Sequence, residues 1–116
     1  MSFIDEIVIL LHGFNKGPDD MMPLASRFKE LGYESIVPRL PTLFGSLEDC
    51  VSSLEIQLFD VISDCRSFFI VAHSMGGLIA ESYLLKNPSE KLSGKVYICS
   101  PFGGTRLAKI GFRLPI

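Results

Sequence analysis

The chain has no tryptophan, two histidines and three cysteines among 116 residues. Cys50, Cys65 and Cys99 form an odd, widely spaced set with no C-x-x-C pair. That excludes a zinc ribbon or a thioredoxin-type motif and predicts buried thiols in a reducing compartment. Long apolar runs are also lacking. The N-terminal run, Ile7–Leu11, has five residues, too few for a signal-peptide core or a stable membrane span. The preceding MSFIDE carries two acids and no base, so a cytoplasmic location is expected. Neither G-x-G-x-x-G nor G-x-x-x-x-G-K-[ST] occurs, which removes the common nucleotide-binding fingerprints. No dense basic run interleaved with aromatics is present, so no nucleic-acid partner is expected. No metal site and no cofactor are implied.

What is present describes one globular domain over residues 1–116. Apolar side chains make up 47% and charged ones 21%, with a net charge of −2. A chain of this length buries roughly two-thirds of its unfolded surface, enough for a core without disulfides or metal. Charge is uneven along it. Residues 1–85 hold 5 Lys+Arg against 12 Asp+Glu, and residues 86–116 hold 6 against 1. The basic stretch reads as ordinary surface on a helix end and a loop, with an anionic partner as the sharper alternative.

Four short apolar runs predict strands: Ile7–Leu11, Tyr33–Val37, Phe68–Ala72 and Lys95–Cys99. Three are nearly continuous in β-branched or aromatic residues, as expected of strands covered on both faces of a parallel sheet. The second is more polar and runs into Pro38, which suits a position nearer an edge. Helical spacing lies between them. Met21, Leu24, Phe28 and Leu31 define a first helix closed by Gly32; Leu47, Val51, Leu54, Leu58 and Val61 define a second, from Ser46 to about Ser63. Ser46 with Asp49 resembles a capping box. A third helix opens near Met75 and stops at Asn87–Pro88. Strand and helix alternate throughout, which predicts an α/β fold: an open three-layer parallel sheet with helices on both faces.

Two segments carry chemistry. Val71-Ala72-His73-Ser74-Met75-Gly76-Gly77 leaves a buried strand and opens a helix. A serine at such a turn projects its hydroxyl above the sheet, and crowding requires small residues two before and two after it, here Ala72 and Gly76. A Ser-x-Gly after a strand is also a common helix cap, so the motif alone is ambiguous. Leu11-His12-Gly13-Phe14 ends the first strand. Loops at the carboxyl ends of neighbouring parallel strands share one crevice. The N–H groups of Phe14 and Met75 can there form a two-donor oxyanion hole, each donor contributing roughly 3–4 kcal/mol to acyl transfer.

The pairing of LLHGF with VAHSMGG resembles the lipase/esterase branch of the α/β-hydrolase superfamily. Ala72 departs from Gly-x-Ser-x-Gly but matches the AHSMGG form of small Bacillus-type lipases. Val37–Pro41 and Ser100–Thr105 resemble loops of the same family. The resemblance implies a strand order of second, first, third, fourth, with Ser74 as nucleophile and the Phe14 and Met75 N–H groups as oxyanion donors. His12, Gly13, Ala72, His73 and Gly76 would shape the loop and elbow. It further implies a serine hydrolase of carboxylic esters, acting on a small-molecule or lipid ester.

The family places an acid and then a histidine after the serine. Here the last histidine is His73, the last acid is Glu90, and residues 100–116 contain no Asp, Glu or His. His73 is adjacent to Ser74, where side chains diverge, and His12 belongs to the oxyanion loop; each reads as structural rather than as the base. Asp60 and Asp64 fall toward the opposite edge, while Glu48 and Asp49 serve a helix N-terminus. The expectation is a truncated α/β-hydrolase fold, nearly inert as this chain, with a degenerate non-catalytic binding protein as the alternative. Lys95–Cys99 is then an edge strand open to self-association, and Leu107–Ile116 the start of a lid or helix, with a membrane-surface segment as the weaker alternative.

Overall fold

The computed structural model describes residues 4–13 and 17–98. Strand β1 (Ile4–Leu11) leads through a 3₁₀ turn (Pro18–Met21) into helix α1 (Met22–Glu30) and strand β2 (Glu34–Ile36). Helix α2 (Leu47–Asp64) follows, then β3 (Cys65–His73), α3 (Gly76–Lys86) and β4 (Leu92–Ile98). All strand pairs are parallel and the order is β2-β1-β3-β4, as the resemblance implied.

The two-residue alternation of the strands builds the three layers. Ile7, Ile9 and Leu11 of β1 align with Phe68, Ile70 and Ala72 of β3 and meet Val51, Leu54, Leu58, Ile79 and Ala80 from α2 and α3. Val8, Leu10 and Val71 face the other way, onto Met21, Leu24, Ala25 and Phe28. Strands sandwiched between helices in this way bury both faces, which explains the unbroken apolar runs in β1 and β3.

Local chemistry sets the ends of the elements. At the start of α2, Ser46 Oγ accepts from the Asp49 N–H at 3.1 Å and the Asp49 carboxylate accepts from the Ser46 N–H at 3.0 Å. The capping box thus forms with Asp in the position usually held by Glu. Gly32, with φ +92°, takes the left-handed conformation that ends α1. At its other end α2 runs into β3 without a loop, since Asp64 is followed directly by Cys65. The Lys91 ammonium closes that junction, donating to the Ile62 and Ser63 carbonyls at 2.6 and 3.2 Å. Those are orphan carbonyls of a helix C-terminus, and a cation there also complements the helix dipole.

Two expectations are corrected. Leu31 does not extend the apolar stripe of α1; it is the C-cap residue and is 59% exposed, because the helix turns away before its side chain reaches the sheet. Strand β4 is not covered on both faces. It lies at the edge, and α1 does not extend over Val96, which is 46% exposed. Polar ties hold β4 instead. The Ser67 and Ser93 hydroxyls donate to the Glu6 carboxylate at 3.0 and 2.6 Å, while Lys95 and the Tyr97 hydroxyl both reach Glu81 on α3. Cys50 and Cys65 are free, buried thiols whose pKa values burial pushes up; Cys99, Ser100–Thr105 and Leu107–Ile116 lie outside the described residues.

Helix α2 offers a direct check of this packing. Leu54 is fully buried and Phe59 is 75% exposed. Leu54→Ala should lower the unfolding free energy by ~2–5 kcal/mol in urea titration, through lost burial and a residual cavity. Phe59→Ala should stay within about 0.5 kcal/mol of wild type.

Candidate active site

Between the end of β3 at His73 and the start of α3 at Gly76, the chain turns in two residues. Ser74 adopts φ +58°, the one non-glycine residue with positive φ among the described residues. A β-carbon disfavours that conformation by about 1–3 kcal/mol, so the surroundings must impose it. They do so from both sides. The Ser74 N–H donates to the Ile98 carbonyl at 2.9 Å, extending the β3–β4 ladder, and its carbonyl accepts from the Gly77 N–H at 3.1 Å.

The elbow is pressed against the end of β1. A β-carbon on Gly13 would lie 2.9 Å from Ser74 Cβ and 3.0 Å from Met75 N; one on Gly76 would lie 2.7 and 2.8 Å from the Leu11 and His12 carbonyl oxygens. Three of those atoms are backbone and the fourth is a β-carbon fixed to it, so none can swing aside and only glycine fits at either position. Ala72 is fully buried toward α2 and α3, in a place that accepts one methyl group. Thus Gly13, Ala72, Ser74 and Gly76, singled out from the motifs, come together in one tight crossing.

Met75 is the N-cap of α3 and has no side-chain cap bond. The first N–H groups of an α-helix have no acceptor within the helix, and the macrodipole adds partial positive charge at the same end. The Met75 N–H lies at that end, beside Gly13. Phe14, the other expected donor, lies outside the described residues.

His12 is fully buried and both of its ring nitrogens are engaged. The Leu40 backbone N–H donates to Nε2 at 3.0 Å, and Nδ1 donates to the Gly13 carbonyl at 3.0 Å. A backbone N–H can only donate and a carbonyl only accept, so the ring is the neutral tautomer protonated at Nδ1. Burial pushes its pKa below the ordinary 6.5; the Gly13 hydrogen bond opposes that, nearby Arg39 adds to it and Asp20 opposes it. His12 therefore ties the β1 loop to the loop after β2. Nothing in the local sequence around His12 announces the Leu40 N–H, 28 residues away. His73 is half-buried, and alternation along β3 turns it toward the α1 face. Asp64 ends α2 at the amino-terminal edge of β3, and the Asp49 carboxylate is taken by its own capping box. Among the described residues no group of three or more His, Cys, Asp or Glu could hold a metal ion, and no helix is long and apolar enough to cross a membrane.

The described residues thus form a parallel α/β sheet whose third strand is followed by a left-handed serine, with Gly13 and Gly76 closely packed around the turn. The sequence model of the alpha/beta hydrolase family matches residues 8–116, and the chain belongs to that family. It is 34% identical over 80 residues to a thermostable monoacylglycerol lipase from Bacillus sp. (strain H-257), covering 62% of this chain and 32% of that protein. Among solved structures it is similar to the metagenome-derived lipolytic enzymes LipS and LipT, with a TM-score of 0.72 at 23% identity, covering 98% of this chain and 50% of that one. It is likewise similar to an esterase from Exiguobacterium antarcticum, with a TM-score of 0.72 at 20% identity over 85% of this chain and 39% of the other. At these identities the structural likeness is one of fold. The chain spans about a third to a half of the length of these relatives.

The geometry of the crossing yields two checks. Gly76→Ala places a methyl group against two fixed carbonyls and should lower stability by ~1–3 kcal/mol in thermal unfolding. His12 gives a pH signature. Unfolded, it takes up a proton near pH 6.5; folded, it does so only at lower pH, so the unfolded state binds more protons in between. Its contribution is complete above pH 6.5 and is lost as pH falls through the folded value, with a slope of at most about 1.4 kcal/mol per pH unit. Urea midpoints across this window should fall with pH in wild type and flatten in His12→Gln.

Proposed function

We propose that Ser74 is the nucleophile of a serine hydrolase of carboxylic esters and that the N–H groups of Met75 and Phe14 bind the developing oxyanion. The observation that carries this reading is the left-handed Ser74 at a strand-to-helix turn too tight for a β-carbon on Gly13 or Gly76. Strain of this kind persists where function needs it, and this turn is the form an acyl-transfer nucleophile takes. The clamp on the Gly13 carbonyl supports the second donor. His12 Nδ1 holds the Gly13 carbonyl at 3.0 Å, which supports an ordered loop at the end of β1 beside Ser74.

In the reaction, Ser74 Oγ attacks the ester carbonyl and loses its proton to a base. The carbonyl oxygen becomes an oxyanion held by the two N–H groups, and the alkoxy group leaves with a proton as the alcohol. Water then adds to the acyl-enzyme, releasing the acid and restoring the hydroxyl. Lipid and other apolar acyl esters are the favoured substrates, in line with the monoacylglycerol lipase relative.

The base is not among the described residues. Both nitrogens of His12 are bonded to backbone, and no histidine follows His73 within the 116 residues. A hole and a nucleophile without a base retain roughly 10³–10⁴-fold acceleration over water, far below a complete triad. This chain alone is accordingly a very weak esterase. A second reading is a family member that binds an ester-like ligand without turning it over.

Hydrolysis of p-nitrophenyl butyrate separates them. The 116-residue chain should turn over slowly, and Ser74→Ala should abolish what remains. In any longer reading frame that supplies an Asp and a His, the same variant should lose at least 10³-fold in kcat. Undiminished turnover in Ser74→Ala would remove Ser74 from the nucleophile's role; absence of any Ser74-dependent turnover in the longer protein would favour the binding reading.

A further inference from the structure

The Arg39–Leu40 peptide is gripped from both sides. Its carbonyl accepts from Gln57 Nε2 at 2.8 Å, and its N–H donates to His12 Nε2 at 3.0 Å. The two groups of a planar trans peptide point in opposite directions, so one rigid unit joins a side chain of α2 to the His12 ring. His12 Nδ1 in turn donates to the Gly13 carbonyl at 3.0 Å. The result is an unbroken hydrogen-bonded chain from the exposed Gln57 to the loop packed against Ser74.

Each link has one polarity. A carbonyl only accepts, so Gln57 presents its NH₂ group to Arg39; the second hydrogen of that group reaches Ser53 Oγ at 3.0 Å, one turn back on the same helix face. The fully buried Leu54 and Leu58 fix α2 on either side, so Gln57 stands on a rigid base with both amide hydrogens engaged. The buried Leu40 side chain sets the path of the loop, which leaves Gln57 to set the tilt of its peptide. That tilt decides how well the Leu40 N–H lines up with the His12 lone pair, and hydrogen bonds weaken steeply off line. Linked hydrogen bonds also polarise one another. We propose that Gln57 is a positioning residue for the Gly13 loop, acting through the Arg39–Leu40 peptide and the His12 ring. Its consequence for ester hydrolysis rests on the hydrolase reading; its action on His12 does not.

The state of the His12 ring reports the chain. The Leu40 N–H favours the neutral ring, since a protonated Nε2 would meet it donor to donor. Weakening that bond therefore makes the ring easier to protonate. The charged groups acting on the ring are Arg39 from the loop after β2 and Asp20 from the 3₁₀ turn, and His73 ends the neighbouring strand β3. Gln57 is uncharged, so its removal leaves these charges in place and acts through the hydrogen bonds.

Titration of the purified 116-residue chain, followed by NMR of the imidazole nitrogens and of the Gly13 carbonyl carbon, tests this directly. The signals lost in His12→Gln separate His12 from His73. Wild type should show a neutral His12 protonated at Nδ1, with a midpoint below 6.5. Gln57→Ala should raise that midpoint by about half a pH unit, about threefold in proton affinity, because a bond to the neutral ring is weakened but not abolished. The Gly13 carbonyl shift, which senses the charge on its donor, should follow the new midpoint. Ile56→Ala, adjacent on α2 and 79% exposed, should stay within about 0.1 unit of wild type. Alanine is the best helix former, so neither variant weakens α2 itself. Ser74→Ala should titrate like wild type, so failure of the nucleophile assignment would appear in turnover and not here. The proposal is overturned if Gln57→Ala leaves the His12 midpoint unchanged, if Ile56→Ala raises it equally, or if the Gly13 carbonyl does not follow it. A wild-type ring protonated at Nε2 would overturn it as well.

Discussion

Everything at the candidate site depends on how closely the end of β1 approaches the turn after β3. The Leu11 and His12 carbonyl oxygens lie 2.7 and 2.8 Å from where a β-carbon of residue 76 would be, and Ser74 Cβ lies 2.9 Å from where one of residue 13 would be. Gly13 and Ser74, 61 residues apart in sequence, are thereby in close contact. That contact leaves one path for the chain at residue 74, with φ +58°, and the resulting strain is balanced by sheet and helix hydrogen bonds on either side. The packed layers beneath are what keep the approach from relaxing. Leu11 and Ala72 lie opposite each other in the β1–β3 register, both fully buried under α2 and α3.

The same constraint explains why the one buried histidine is a brace. A buried imidazole with two free nitrogens would leave unpaired polar groups, and burial penalises its charged form. His12 avoids both by accepting from Leu40 and donating to Gly13. A ring so engaged cannot exchange a proton with Ser74 without breaking the bond that positions Gly13. Holding the Gly13 carbonyl and acting as a proton acceptor for Ser74 are therefore incompatible for this residue.

Much of this was legible from the residues because the determining interactions are local. Strands covered on both faces write themselves as apolar runs, so β1 and β3 stood out; Ser46 and Asp49 announced their capping box at three-residue spacing; Ala72 and Gly76 flanked Ser74 at the distances that steric crowding dictates. What was not legible is long-range. The Lys91 ammonium that lets α2 run into β3 without a loop acts on carbonyls 28 and 29 residues back, and periodicity carries no trace of it. The exposure of Leu31 and Val96 follows from where a neighbouring helix stops, which their own sequence context does not specify. The β4 run read as fully covered because Val96, Tyr97 and Ile98 are apolar; only the sheet order reveals that one of its faces is thinly packed.

That thin packing bears on the site itself. The Ser74 N–H is bonded to the Ile98 carbonyl, so the elbow rests on the edge strand of the described sheet. Apolar burial is weak there, and polar ties replace it. Glu6 gathers the hydroxyls of Ser67 and Ser93 near the start of β4, while Glu81 takes Lys95 and Tyr97 nearer its end, with the Lys95 and Glu81 side chains each 18% exposed. Partly buried carboxylates that satisfy two donors hold geometry more firmly than they add stability, since desolvation offsets much of the attraction. Glu81 also lies on α3, the helix that the elbow opens. Strand β4 is consequently tied to Ser74 through the Ile98 carbonyl and to the middle of α3 through Glu81. A residue held at a strained angle requires its supports to stay fixed, and a directional polar network supplies at this edge what a hydrophobic core supplies in the middle of the sheet.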